Sequence, residues 1–169
     1  DWDIIPDALG YLLLFLALRR IEKYEEHFRK AKITAVAGGL LSLLFLYDPA
    51  YSIGEISAWR IAGNILLSGG ALALELILCY EMSRGITVIA HACGSEEVAD
   101  MAQKRWRYFF GTRLFVYAAG YFFAAIPILF LLLTIFGFAV QLMYALSLKT
   151  AFQRLDQKKI PASMQDPGK

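Results

Sequence analysis

LFVYAAGYFFAAIPILFLLLTIFGFAVQLMYALSL, residues 114–148, contains no Lys, Arg, His, Asp or Glu. As one helix it would be about 50 Å long at 1.5 Å per residue, well beyond the roughly 30 Å of hydrocarbon that a single span must cross. Its one strong breaker is Pro127, after Ile126. Proline is accepted in the first turn of a helix and not in its interior. The stretch therefore predicts two spans, residues 108–124 and 127–149, joined by a tight hairpin around Ala124 to Pro127. That sets the class: an all-α, polytopic transmembrane helical bundle.

The rest of the chain agrees. Of 169 residues, 58% are hydrophobic and 19% charged, against the 45–50% and about 25% of a soluble domain, and the mean hydropathy is +0.50. A disordered chain, a basic nucleic-acid-binding arm and a disulfide scaffold are excluded. The net charge of +2 is too small to argue for nucleic acid, so the expected partners are the lipid bilayer and a protein partner or a second copy of the chain. At about 20 residues per span there is room for several spans and no separate soluble domain.

Three further runs precede the quoted one. The first, residues 4–18, opens at Asp3 and Pro6 and closes at Arg19 and Arg20. A charged segment with helical character, residues 19–32, follows. The second run, 33–47, ends at Asp48-Pro49, and the loop after it carries acid but no Lys or Arg. The third, 56–80, holds Arg60 and Glu75. Residues 82–107 are amphipathic and helical, with Gly94-Ser95-Glu96-Glu97 reading as one helix stopping and another starting. Lysines and arginines gather in 19–32, in 104–113 and after 149, which by the positive-inside rule places those segments in the cytoplasm.

Five spans result, with the N-terminus outside, the C-terminus cytoplasmic and the plasma membrane as location. Residues 1–155 form a single transmembrane domain and 156–169 a disordered cytoplasmic tail. Aromatic residues at run ends, among them Trp2, Tyr47, Trp59 and Trp106, fit interface belts. The first residue is Asp1 rather than Met, which points to processing or a longer parent chain.

The opening Asp3-Ile4-Ile5-Pro6-Asp7-Ala8-Leu9-Gly10-Tyr11 resembles a D-[IL]-[IL]-P-D-x-[IL]-G-Y motif that stands before a span in uncharacterised small multi-pass membrane proteins of Gram-positive bacteria. The resemblance extends loosely over residues 96–108 and the closing pair of spans. It implies a fold and a compartment, and a sixth span ahead of the motif. It implies no activity. From the residues themselves, Asp3 caps a helix, Pro6 pre-sets its first turn and Asp7 meets the positive end of the helix dipole. The alternative is that Asp3 and Asp7 offer two carboxylates to a cation or a basic partner.

In the third run Arg60, Asn64, Ser68, Glu75 and Cys79 keep to one helix face. An ionisable residue inside a span is costly and faces other helices or water, so this stripe, with Gln141 of the last run, is the candidate intramembrane polar site. Glu75 either pairs with a cation such as Arg113 or Arg19 and holds helices together, or lines a solute or proton path. Thr34, Gly38 and Ser42 make a small-xxx-small face for close helix approach, Arg113, Tyr117 and Tyr121 align in the fourth run, and Thr134, Gly137, Gln141 and Tyr144 align in the fifth. Two histidines and two cysteines are too thin for a zinc site, and no phosphate loop, nucleophile elbow or metalloprotease helix is present. No catalytic residue, metal or cofactor is expected. The first reading is a non-catalytic membrane component that binds a partner through its charged cytoplasmic loops. The alternative is a small-solute or ion transporter that uses the polar stripe.

Overall fold

The computed structural model describes residues 4–46, 58–123 and 126–157, with the side chains of 4–8, 44–46, 58–62, 64, 123, 156 and 157 outside that description. Among the described residues all regular structure is helical: α1 (Ile4–Ile21), α2 (Glu26–Leu46), α3 (Ala58–Ala92), α4 (Glu96–Phe123) and α5 (Pro127–Gln157). The expected all-α class is thereby shown.

The helix boundaries follow local chemistry. Arg19 and Arg20 occupy the last turn of α1, where cations complement the helix dipole. A turn at 22–25 then brings Tyr24 N to Ile21 O at 3.0 Å and Phe28 N to Glu25 O at 3.2 Å. α3 ends in a Schellman motif: Ser95 N donates to Ala90 O at 2.8 Å and Gly94 N to His91 O at 3.0 Å. That geometry needs a left-handed residue, and Gly94 supplies it with φ of 64°. Ser95, buried, then stands at the N-cap of α4 and accepts from Val98 N and Ala99 N. α5 opens on Pro127, with Ile126 O accepting from Leu129 N and Phe130 N, so the proline interrupts the long apolar stretch where its missing N–H is harmless. α3 runs through Glu81 and Arg84 without a break, because charge ends a hydropathy run without ending a helix.

The chain divides into two compact units, Asp1–Met82 and Ser83–Lys169, the boundary falling within α3. In the first, α1 and α2 are antiparallel neighbours. The buried face of α2 is Phe28, Ala31, Ala35, Gly38 and Ser42, at alternating steps of three and four, the seam of coiled-coil packing. The approach is close: a Cβ on Gly38 would lie 2.5 Å from Cε1 and 2.7 Å from Cζ of Tyr11. Gly38 is therefore the point where the Tyr11 ring rests on the α2 backbone.

In the second unit α4 and α5 run antiparallel. Phe109 and Tyr144 stack with ring centroids 4.5 Å apart, and Tyr144 shares a hydrogen bond with Ser83 of α3. Gly137, Tyr144, Ala151 and Leu155 lie buried along α5, and Val98, Ala99, Ala102 and Phe109 along α4. Residues 85–87, 89 and 90 of α3 are buried as well. The core of this unit thus lies toward its charged end, while the apolar side chains nearer Pro127, Phe122 and Ile128 among them, are exposed.

Among the described residues two helices are long and apolar enough to cross a membrane, Ile65–Ala92 with mean hydropathy 1.7 and Pro127–Leu155 with 2.2. Of the most apolar part of the second, only 11% is buried, unlike the core helix of a soluble protein. Among the described residues α1, α2 and α4 do not meet that measure. In α2 and α4 the reason is where the charges fall: α2 carries Glu26, Arg29, Lys30 and Lys32 in its first turns, and α4 carries charge from Glu96 to Arg113. Only about 21 Å of apolar helix remains in α2 at 1.5 Å per residue.

Candidate functional site

The charged ends of the helices carry most of the ionic structure. In the first unit Lys32 pairs with Glu22 across the α1–α2 turn, and His27 Nδ1 donates to Glu81 Oε2 at 2.5 Å, tying the start of α2 to α3. Both pairs are half-buried. Glu26 meets Lys30 at 3.3 Å and Arg29 at 3.6 Å on the exposed side of α2, and Lys23 Nζ stands 4.9 Å from the Tyr24 ring centroid. Exposed pairs of this kind contribute roughly 0–1 kcal/mol, so Glu26, Arg29 and Lys30 add little to stability. His27 and Glu81 differ, since a charged group in a half-buried hydrogen bond is worth about 1.5–3 kcal/mol.

In the second unit the α3–α4 joint and the end of α5 meet in the same way. Arg154 Nη1 donates to Glu97 Oε1 at 2.8 Å, and His91 Nδ1 donates to Glu96 Oε1 at 3.0 Å. Both histidines are thus bound to carboxylates. Among the described residues no group of three or more His, Cys, Asp and Glu converges as a metal site, and Cys79 and Cys93 form no disulfide.

The polar stripe is only partly described. Arg60 and Asn64 lie in the first turns of α3, their side chains outside the described residues. Ser68 is half-buried and donates to Ile65 O at 3.3 Å. Glu75, seven residues on and so on the same face, is half-buried and is not without a partner. Gln141 lies on the inward seam of α5 in the second unit, half-buried and likewise not without a partner. Of the family-motif residues, Asp3 lies outside the described residues, Pro6 and Asp7 fall within the first turns of α1, and Gly10 has open space around it. Tyr11 is the motif residue with a visible structural task, its seat on Gly38.

No family model, curated protein or solved structure matches the chain. Function is therefore argued from the geometry. Sequence reasoning treated Tyr11 and the Gly38 face as separate signals, although a small-residue face next to an aromatic on the preceding helix is the pattern that joins them. It also missed Ser83 as the partner of Tyr144. The signal was a hydroxyl on each of two buried helix faces, since a buried hydroxyl must find a partner.

Proposed function

We propose that this chain is a five-span helical membrane protein, its N-terminus outside and its C-terminus cytoplasmic, that binds a protein partner or a second copy of itself through the charged cytoplasmic ends of its helices. What carries the reading is the separation of chemistry along the helices. The ion pairs described above all join residues of 22–32, 81, 91–97 and 154, the segments flanked by Lys/Arg clusters. Between them Leu13, Leu66, Phe122 and Ile128 are at least two-thirds exposed. Each such side chain left in water forgoes about 1.5–3 kcal/mol. Against lipid it forgoes almost nothing, and the short apolar parts of α2 and α4 are met by local bilayer thinning. Glu75 and Gln141 both being engaged supports the bundle over a solute path.

Topology is tested with single cysteines in a Cys79→Ala, Cys93→Ala background. Ser95 is buried, so exposed Asp100 is the better reporter beside it. Cysteine at Ser52 reacts with an impermeant thiol reagent in intact cells, and cysteine at Asp100 reacts only after permeabilisation. Labelling of both in intact cells, or the reverse order, overturns the five-span reading. A photo-crosslinking residue at Lys23 or Arg29 gives a discrete adduct; no adduct from either site overturns the partner.

A further inference from the structure

Between α4 and α5 lies a groove of about 440 Å³. One wall is built from α4 at steps that keep one face: Lys104, Arg105, Tyr108 and Thr112. The other is built from Val140, Met143 and Ser147 of α5, with the stacked Phe109 and Tyr144 between. Thr112 Oγ1 donates to Tyr108 O at 2.7 Å and Ser147 Oγ to Met143 O at 2.7 Å. Both hydroxyl protons are thus spent on the backbone, which leaves the two cations and the Tyr108 phenol as the groove's polar donors. Lys104 and Arg105 are exposed, and among the described residues no carboxylate engages them. They differ in this from Lys32 and Arg154.

A groove with an apolar floor, its two lining cations at one end and a mouth along two helices has the chemistry of a phospholipid turned on its side. The geometry points to a binding site for an anionic phospholipid, its phosphodiester held by Lys104 and Arg105 and one acyl chain laid along Val140 and Met143. Three observations argue for a lipid. The apolar wall continues toward the exposed hydrophobic surface of α5, Leu142 and Met143 included, so the occupant's tail has somewhere to go. The cations belong to the basic stretch of α4, Lys104 to Arg113, that leads into the uncharged sequence from Leu114, and basic residues beside an apolar run lie near the headgroups. Basic pockets between helices on the cytoplasmic face recognise anionic headgroups in this manner. A free phosphate would satisfy the cations and leave the apolar wall bare.

The inference rests on the membrane reading above, and its test separates the two. The full chain, purified in detergent, is titrated with short-chain phosphatidylglycerol, phosphatidylcholine or inorganic phosphate, with thermal unfolding and retained lipid in native mass spectrometry as readouts. Phosphatidylglycerol raises the unfolding temperature and is retained, and phosphatidylcholine does neither. The double variant Lys104→Gln, Arg105→Gln weakens phosphatidylglycerol binding at least tenfold. The control Arg20→Gln, Lys23→Gln removes two exposed cations elsewhere and leaves it unchanged. Equal retention of the two lipids, an equal loss in the control, or stabilisation by inorganic phosphate alone overturns the proposal. Should cysteines at Ser52 and Asp100 label as expected while the lipids are not distinguished, the site fails and the topology stands. A chain that stays soluble without detergent fails the topology first.

Discussion

At the scale of single residues, Gly38 and Glu75 carry opposite lessons. Gly38 faces a ring that leaves no room for a methyl group, so Gly38→Ala sets about 1 kcal/mol of gained helix propensity against about 1–3 kcal/mol of overpacking. The expected net change is destabilising. Because the opposing atoms are those of Tyr11, the effect belongs to the pair: in a Tyr11→Ala background Gly38→Ala becomes neutral or stabilising, and a double-mutant cycle by thermal unfolding in detergent reads the coupling. Additive effects would mean that the close approach does not matter. At Glu75 the same method distinguishes a structural carboxylate from a working one. Glu75→Gln keeps most hydrogen-bonding capacity and most stability, whereas Glu75→Leu strands the partner and costs about 1–3 kcal/mol. A Leu variant as stable as the parent contradicts the structural role.

At the scale of elements, what could be read from the sequence was punctuation. Pro127 as the first residue of α5 and Gly94-Ser95 as the joint between α3 and α4 were legible because each is a backbone requirement satisfied by very few residue types. The continuity of α3 from Ala58 to Ala92 was not, since Glu81 and Arg84 end the apolar run and nothing local shows that the helix carries on. The stripe from Arg60 to Glu75 was legible as a helix face, but its partners were not, because partners come from other parts of the chain. The joint gives a clean prediction. Gly94 holds φ of 64° with nothing within 4 Å of where its Cβ would be, so Gly94→Ala meets no clash and pays only the left-handed backbone term of about 1–2 kcal/mol. Gly94→Asn recovers part of it. Equal stability of Gly94, Ala and Asn forms in thermal unfolding would contradict the Schellman assignment.

For the molecule as a whole, burial and apolarity are arranged in opposite senses in the second unit. Ile86, Ile89 and Ala90 with Val98 and Ala99 are buried in the segments flanking the charged α3–α4 joint, and Ala151 and Leu155 near the end of α5, while the most apolar surfaces are exposed. The arrangement accords with the proposed membrane reading, in which exposed apolar side chains meet lipid rather than water. In the proposed membrane orientation water reaches the joint and lipid does not shield it, so amide exchange checks this arrangement. The amides of 86–90, in buried helix, exchange far more slowly than those of the 22–25 turn, whose own residues are half-buried or exposed. Similar rates in the two places would dissolve the distinction.

The hydrogen bond between Ser83 and Tyr144 joins residues 61 positions apart, and that separation becomes an interval during biosynthesis. At about 5–20 residues per second, Ser83 is translated roughly 3–12 s before the tyrosine that will satisfy it. For that time the Ser83 hydroxyl has been made and the tyrosine it shares a hydrogen bond with has not. A chain arrested between these two residues lacks α5 and with it this link between α3 and the last helix.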